Sequence, residues 1–245
     1  MDISIVIPAY NEAAKIRRDV ESAAAFLVEE GLKGEIIVVD DGSADGTRDE
    51  ALAAQVPPGV ELRVIRHEPR RGKGRAVRTG MTATRGRFVM FADTGMCIPF
   101  DNALRGIELI RSGRCEVAHG SRKLPESVIE KPQGIYRRLV SRLFRGLVHL
   151  FMGVPWEMTD TQCGFKIYRG DVGRQLYGEC ISDGFTFDVE TILRAMRHGY
   201  RVREFPVQWR CDWDSRLRPA RGSAAMLSEL ITIKKAIDRE QDATK

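Results

Sequence analysis

The stretch EIIVVDDGS, residues 35–43, carries four consecutive β-branched residues and then breaks into two aspartates, a glycine and a serine. β-Branched side chains favour extended backbone, and a run that is apolar on both alternating faces describes a strand covered on both sides. The acids and the glycine mark where that strand leaves its sheet. On the N-terminal side, ISIVIPAY (3–10) is a second run of the same kind, and a helix over 12–30, stopped by Gly31 and Gly34, lies between the two. On the C-terminal side, DGTRDEALAAQ reads as a helix broken by Pro57-Pro58-Gly59, and VELRVIRH as a third strand. GKGRAVRTGMTAT opens a third helix and RFVMFAD is a fourth strand; a helix over 101–111 and the strand CEVAHGS continue the alternation. Strands alternating with helices specify an α/β fold: a mostly parallel central sheet with helices on both faces.

The second half is less regular. SRKLPESVIEKPQG (121–134) reads as a polar loop. An amphipathic helix is predicted over 135–152, with Tyr136, Leu139, Val140, Leu143, Phe144, Leu147, Val148 and Phe151 at helical spacing. Arg138, Arg142, Arg145 and His149 form a basic row beside that stripe. Two readings stay open: the helix docks on the sheet, or it lies in the interface of an anionic membrane. FDVETILRAMRHG predicts another amphipathic helix, YRVREFPVQW a half-exposed strand, and the chain from Ser223 a further helix.

The chain has 245 residues, 43% hydrophobic and 30% charged, enough for a sizeable core. No window approaches the roughly 18 uninterrupted apolar residues of a membrane span. An acid at position 2 followed at once by a strand argues against a secretory signal. Five scattered cysteines without a CxxC pair point to a reduced cytoplasmic protein without zinc. The net charge of +5 suits an anionic ligand or a membrane surface and does not call for nucleic acid.

In open α/β sheets, ligands bind at the carboxyl ends of the strands. Those ends carry Pro8-Ala9-Tyr10-Asn11-Glu12, Asp40-Asp41-Gly42-Ser43 and Asp93, three polar clusters on one edge. A proline at a strand end turns the chain out of the sheet, so that Tyr10 can lie against a base and Glu12 can accept from a ribose. The plainer reading of PAYNE is a turn opening a helix with acids in its first turn. Asp40 can accept from the N–H edge of a pyrimidine, and Asp41 from a sugar or a metal-bound water. The same loop also suits a helix N-cap at Ser43 or Asp45. RHEPRRGKGRAVRTG gathers Arg66, Arg70, Arg71, Lys73, Arg75 and Arg78 around a helix start, where backbone N–H groups suit a phosphate. Taken alone, it reads as a solvated basic loop. It is neither a Walker loop nor a dinucleotide fingerprint, because the residue after Lys73 and the glycine spacing are wrong for both.

In order and spacing, SIVIPAYNEAAKI, EIIVVDDGSADGT and RRGKGRAVRTGM resemble the family-2 glycosyltransferases of GT-A fold, inverting enzymes that use nucleotide-sugar donors. GSRKL, DTQCGFKIY, FDVETI and EFPVQW narrow the likeness to the dolichyl-phosphate β-glucosyltransferases and bacterial polyprenyl-phosphate relatives. The resemblance runs from Ile3 to about Trp209. It implies one GT-A catalytic domain over 1–222, with a nucleotide-sugar half (1–121) and an acceptor half (122–222), then a helical tail (223–245). It implies a donor such as UDP-glucose, a lipid-phosphate acceptor, divalent Mg or Mn, and a peripheral place on the inner face of a membrane.

Carried over residue by residue, the resemblance places Pro8, Ala9, Tyr10, Glu12, Asp40, Asp41, Gly42, Lys73, Gly74 and Asp93 at the nucleotide sugar. Asp93 matches the first acid of the family's D-x-D and is the implied metal ligand. Asp160 and Asp188 join it as candidate catalytic acids, and Arg122 and Gln162 would serve the acceptor phosphate; Arg218 and Arg221, beyond the stretch of resemblance, are added to that phosphate group by their charge. Asp188 is a base if the acceptor is an alcohol and a positioning group if it is a phosphate; it is also an ordinary first-turn helix acid. A lipid monophosphate, with a second pKa of about 6, arrives largely ionised and needs alignment more than deprotonation.

The departure is Gly95, where the family has its second acid. Three consequences stay open. Asp93 and the diphosphate can hold Mg²⁺ weakly. Cations near Lys73, or Arg216, Arg218 and Arg221, can replace the metal's charge. Or the chain binds a nucleotide sugar without transferring it. A family-2 transferase acting on a saccharide or small alcohol is the remaining alternative among enzymes, with a nucleotidyltransferase further off.

Overall fold

The computed structural model describes residues 1–131, 135–210 and 219–242, with side chains over 1–130, 141–210 and 226–240. The first half runs β1 (Ile3–Ala9), α1 (Ala13–Glu29), β2 (Gly34–Asp40), α2 (Thr47–Leu52), β3 (Glu61–Arg66), α3 (Lys73–Thr82) and β4 (Phe88–Ala92). A 3-10 turn (Phe100–Asn102), α4 (Ala103–Arg111) and β5 (Val117–Ser121) complete it. Then come β6 (Val128–Lys131), α5 (Ile135–Met152), β7 (Phe165–Arg169), α6 (Gly170–Glu179), α7 (Phe187–Arg197), β8 (Val202–Pro206), β9 (Gln208–Arg210) and α8 (Pro219–Asp242).

Seven strands form one sheet in the order β3-β2-β1-β4-β7-β5-β8, and β6 and β9 pair separately. β1, β2, β3 and β4 are parallel, as are β5 and β8, while β7 runs antiparallel to both β4 and β5. Every residue of β1 and β2 is buried, as their two-faced apolar runs require. One core lies between the sheet and α1 and α4, built on Ile5, Ile16, Leu27, Ile36 and Ile107; a second lies under α3 and α6, with Val39, Val77, Phe91 and Leu176. Each such side chain contributes about 1.5–3 kcal/mol on burial. A third cluster joins Val148 and Met152 of α5, Val189 and Ile192 of α7, and Leu230, Ile233 and Ile237 of α8.

Several expectations change. Gly34 does not stop α1 but opens β2; Gly31, at φ +63°, makes the turn. Pro8 does not leave the sheet, because it pairs in register with Val39 and the strand continues through Ala9 opposite Asp40. Part of the expected polar loop forms β6 on β9. The last helix starts at Pro219, so the division at 222/223 falls inside it. His149, placed by spacing in the basic row, is buried: its Nδ1 lies 2.8 Å from the Val154 carbonyl and its ring stacks on Trp156 at 4.3 Å. Tyr136, Arg138, Leu139, Val140 and Arg221 lie outside the described side chains, and Arg216 and Arg218 outside the described residues.

Candidate active site

The loops after β1 and β2 are stitched together through their own polar groups. The Asn11 N–H donates to Ser43 Oγ at 2.7 Å, and Asn11 Oδ1 accepts the Ala44 N–H at 2.9 Å. The Glu12 N–H donates to Thr47 Oγ1 at 2.7 Å and the Ala13 N–H to Asp45 Oδ2 at 3.2 Å. Ser43 therefore serves the neighbouring loop instead of capping α2, whose N-cap is Gly46 at φ +80°. Glu12 occupies the N-cap position of α1, its carboxylate 3.7 Å from Lys15. The Arg70 guanidinium lies over the Tyr10 ring, 3.9 Å from its centroid.

The two adjacent aspartates divide their tasks. Asp41 is turned inward. Its carboxylate accepts the Arg71 and Gly72 N–H groups, each at 2.8 Å, and lies 3.0 Å from His67 Nδ1 and 3.5 Å from Arg70 Nε. That fills its lone pairs, so it is not placed for a sugar or a metal-bound water. It braces the Arg-rich loop instead, and Gly42 lets that loop come close, since a Cβ there would lie 2.9 Å from the Arg70 nitrogen. Asp40 is fully buried, and its Oδ1 accepts the Ser43 N–H at 3.0 Å. Its Oδ2 has no hydrogen-bond partner, with Arg66 Nη1 3.5 Å away. A buried acceptor left open is costly in a folded chain unless a ligand completes it.

The start of α3 does not offer bare N–H groups to a phosphate. The Gly74 N–H donates to the Gly184 carbonyl at 2.9 Å and the Arg75 N–H to that of Asp183 at 3.3 Å. Glu229 of α8 anchors this capping loop, accepting from the Gly184 N–H and Thr186 Oγ1, both at 2.6 Å. The same helix start carries the Lys73 side chain. Its Nζ lies 2.7 Å from Asp93 Oδ1 and 2.9 Å from Oδ2. Burial pulls the Lys73 pKa down, but the charges of Asp93 and Asp188 outweigh it and hold the ammonium above its ordinary range.

Behind this pair, Lys166 donates to Asp188 and, at 3.1 Å, to the Thr161 carbonyl. Burial raises the Asp188 pKa, with the cations of Lys166 and Lys73 acting against it. Asp188 is thus both a first-turn acid of α7 and one half of a buried ion pair. Lys166 was not foreseen as a site residue. The available signal was a lysine at an interior position of FKIYR, in a strand otherwise buried through Tyr168.

Asp160 takes the Arg122 guanidinium as a fork, Nε to Oδ2 at 2.6 Å and Nη2 to Oδ1 at 2.8 Å, and accepts the Arg122 N–H at 3.1 Å. Burial alone would raise the Asp160 pKa, but the Arg122 charge and hydrogen bonds hold it below the usual carboxylate range. Glu204 fixes the loop from below by accepting the Thr159 and Asp160 N–H groups. Asp160 and Gln162 line a cleft with Lys123, Arg142 and Arg145. The Lys123 pKa is lowered by burial first and then by the neighbouring arginines, although Asp160 opposes this. The sequence gives no separate signal for Lys123, and by spacing Arg142 and Arg145 belong to the basic row of a helix.

Asp40, Lys73, Asp93 and Asp188 thus belong to the same edge of the sheet, with Asp160 and Arg122 beside the cationic cleft. The protein groups at Asp93 do not by themselves form a metal site. No group of three or more His, Cys, Asp or Glu among the described residues is arranged to hold one. Both Asp93 oxygens lie near an ammonium, with Oδ1 lacking a hydrogen-bond partner, and Gly95 supplies no side-chain ligand.

The model of the family "Glycosyl transferase family 2" matches residues 4–173. Glycosyltransferase AglD of Haloferax volcanii is 33% identical over 237 residues, covering 94% of this chain but 36% of that protein. The chain therefore spans little more than a third of that relative's length. The dolichyl-phosphate beta-glucosyltransferase of Saccharomyces cerevisiae is 32% identical over 252 residues, covering 96% of this chain and 74% of that protein. The crystal structure of glucosyl-3-phosphoglycerate synthase from Mycobacterium tuberculosis with Mn²⁺, uridine diphosphate and phosphoglyceric acid superposes with a TM-score of 0.69 at 21% identity. That match covers 96% of this chain and 78% of the other. At that identity it bears on the fold alone, which is GT-A.

Proposed function

The chain belongs to glycosyl transferase family 2 and is a glycosyltransferase, and from that premise we propose that it moves glucose from UDP-glucose to a polyprenyl or dolichyl phosphate, with inversion. The observation that carries the acceptor is the cleft of Lys123, Arg142 and Arg145 beside Asp160 and Gln162. Clustered cations match an ionised phosphate better than a neutral hydroxyl.

The donor lies along the other loops of the edge. Asp40 Oδ2, the open buried acceptor, takes the N3–H of uracil, and Tyr10 with its stacked Arg70 borders the nucleoside. Lys73 is the nearest cation for the diphosphate. The acceptor phosphate arrives ionised, so no proton has to be removed as its oxygen bonds the anomeric carbon and UDP departs. Asp188, fixed by Lys166, positions and screens the reacting centre rather than acting as a base. The incubation that tests this reading is UDP-glucose with polyprenyl phosphate. Release of UDP with formation of the glucosyl lipid supports it. Transfer to a saccharide or alcohol alone overturns the acceptor, and no transfer overturns the function.

Asp40 gives a prediction with a definite sign. In Asp40→Asn the side-chain oxygen must still receive the Ser43 N–H, so the amide NH₂ faces the base. Two donors then meet at uracil N3, whereas the N3 of cytosine is an acceptor. UDP affinity should fall by roughly tenfold or more and CDP affinity should rise, measured by calorimetry. Unchanged selectivity would remove Asp40 from the base pocket.

No helix among the described residues is long and apolar enough to cross a membrane. α5 nevertheless exposes Leu143 at 68% and Leu150 at 80%, one heptad apart, and Trp156 follows at 62%. Apolar side chains beside the basic cleft suit the headgroup boundary of an anionic membrane, so the chain is read as peripheral on its inner face. Leu143→Ser with Leu150→Ser should weaken pelleting with anionic vesicles by about tenfold or more and leave UDP affinity unchanged. Equal pelleting of both proteins would assign this face to another contact.

A further inference from the structure

Asp93 meets an ammonium where the resemblance implies a divalent cation. Lys73 Nζ lies within 2.9 Å of both its oxygens and offsets their charge, donating to Oδ2 while Oδ1 has no hydrogen-bond partner. The position of the second acid is closed by the backbone as well as by residue type. Gly95 has φ +93°, a conformation that L side chains rarely adopt. Its N–H donates at 2.7 Å to Oδ2 of Asp19, a buried carboxylate on α1 that holds the turn in this form. A further carboxylate, Asp188, is paired with Lys166. Asp93 and Asp188 each stand against an ammonium, so a divalent ion approaching either would meet like charge.

We propose that Lys73 is the built-in counter-cation of the diphosphate leaving group, so that donor binding and transfer need no divalent metal. The proposal rests on the donor reading given above. In the transfer, the bond between the anomeric carbon and the β-phosphate oxygen breaks and its electron pair stays on that oxygen. A lone pair of the acceptor oxygen forms the new bond to carbon. Lys73, held beside Asp93, donates to the departing oxygen, and no proton changes owner. An ammonium with three rotatable donors can serve both oxygens at once.

Calorimetry on the full chain tests it, with UDP and uridine as ligands, in EDTA and in Mg²⁺, for the native protein, Lys73→Met and Lys73→Arg. UDP should bind the native protein within about threefold in the two conditions. Lys73→Met should weaken UDP by roughly thirtyfold in EDTA while uridine stays within about threefold, the split expected for loss of one charge-assisted hydrogen bond. Lys73→Arg should recover part of the loss. Unchanged uridine binding certifies that the variants are folded. UDP binding that EDTA abolishes and Mg²⁺ restores, with uridine unaffected, overturns the proposal alone. A native protein that binds neither UDP nor uridine overturns the donor reading, and this proposal with it.

Discussion

Alanine at position 164 is expected to cut turnover about a hundredfold while barely moving the unfolding midpoint. A Cβ at Gly164 would lie 2.1 Å from Asp93 Oδ2, 2.2 Å from Cγ and 2.6 Å from Oδ1. The backbone has no room to retreat, because the Asp93 N–H donates to the Gly164 carbonyl at 2.9 Å. The carboxylate must therefore rotate away, and it leaves Lys73 as it goes. Stability changes little for two reasons. Asp93 is a third exposed, so its ion pair contributes at most about 1 kcal/mol. Gly164 is also not among the positive-φ residues, so alanine restricts the unfolded chain and returns about 0.4–1 kcal/mol. Turnover of UDP-glucose and a urea melt measure the two halves. A fully active, equally stable variant would mean that the position of Asp93 does not matter to transfer.

Arg122→Met is expected to be costly in both respects. Asp160 is 5% exposed, and the guanidinium supplies two of the three donors it accepts from. Removing one partner of a buried pair leaves the other charge uncompensated, at about 3–5 kcal/mol. The loss should depend on pH. The native Asp160 is held below the ordinary carboxylate range, so its contribution is present above the unfolded value and is lost as pH falls through the native one. Urea melts should show the native protein far ahead of the variant at neutral pH, with the gap narrowing in acid. A gap independent of pH would place the effect in lost packing, since Arg122 also lies 5.4 Å from the centroid of Trp209. Transfer to the lipid phosphate should fall by roughly a hundredfold, because the loop bearing Asp160 also lines the cationic cleft.

The buried strands were legible because each carries its own signal. The runs at 3–9 and 34–40 are apolar on both faces, and only a covered sheet can hide them. The candidate site was placed from the sequence where residue type and strand end coincide, at Asp40 and Asp93. The division of labour between Asp40 and Asp41 was not, because two adjacent aspartates look alike until their donors are known. α6 was missed because three glycines in GDVGRQLYGE lower its helix propensity, and packing of Val172 and Leu176 overrides that. The Arg-rich loop suggested an anion site through backbone N–H groups, yet carbonyls a hundred residues away along the chain take them.

The amino-acid sequence alone determined the alternating architecture, the family likeness and the edge on which the ligand loops gather, since periodicity and strand-end chemistry are local properties. Tertiary structure alone decided which charge meets which. Lys73 on Asp93, Lys166 on Asp188, Arg122 on Asp160 and the inward turn of Asp41 are contacts between distant segments. Charge pairing depends on distances of a few ångströms, and only the folded sheet brings those segments that close.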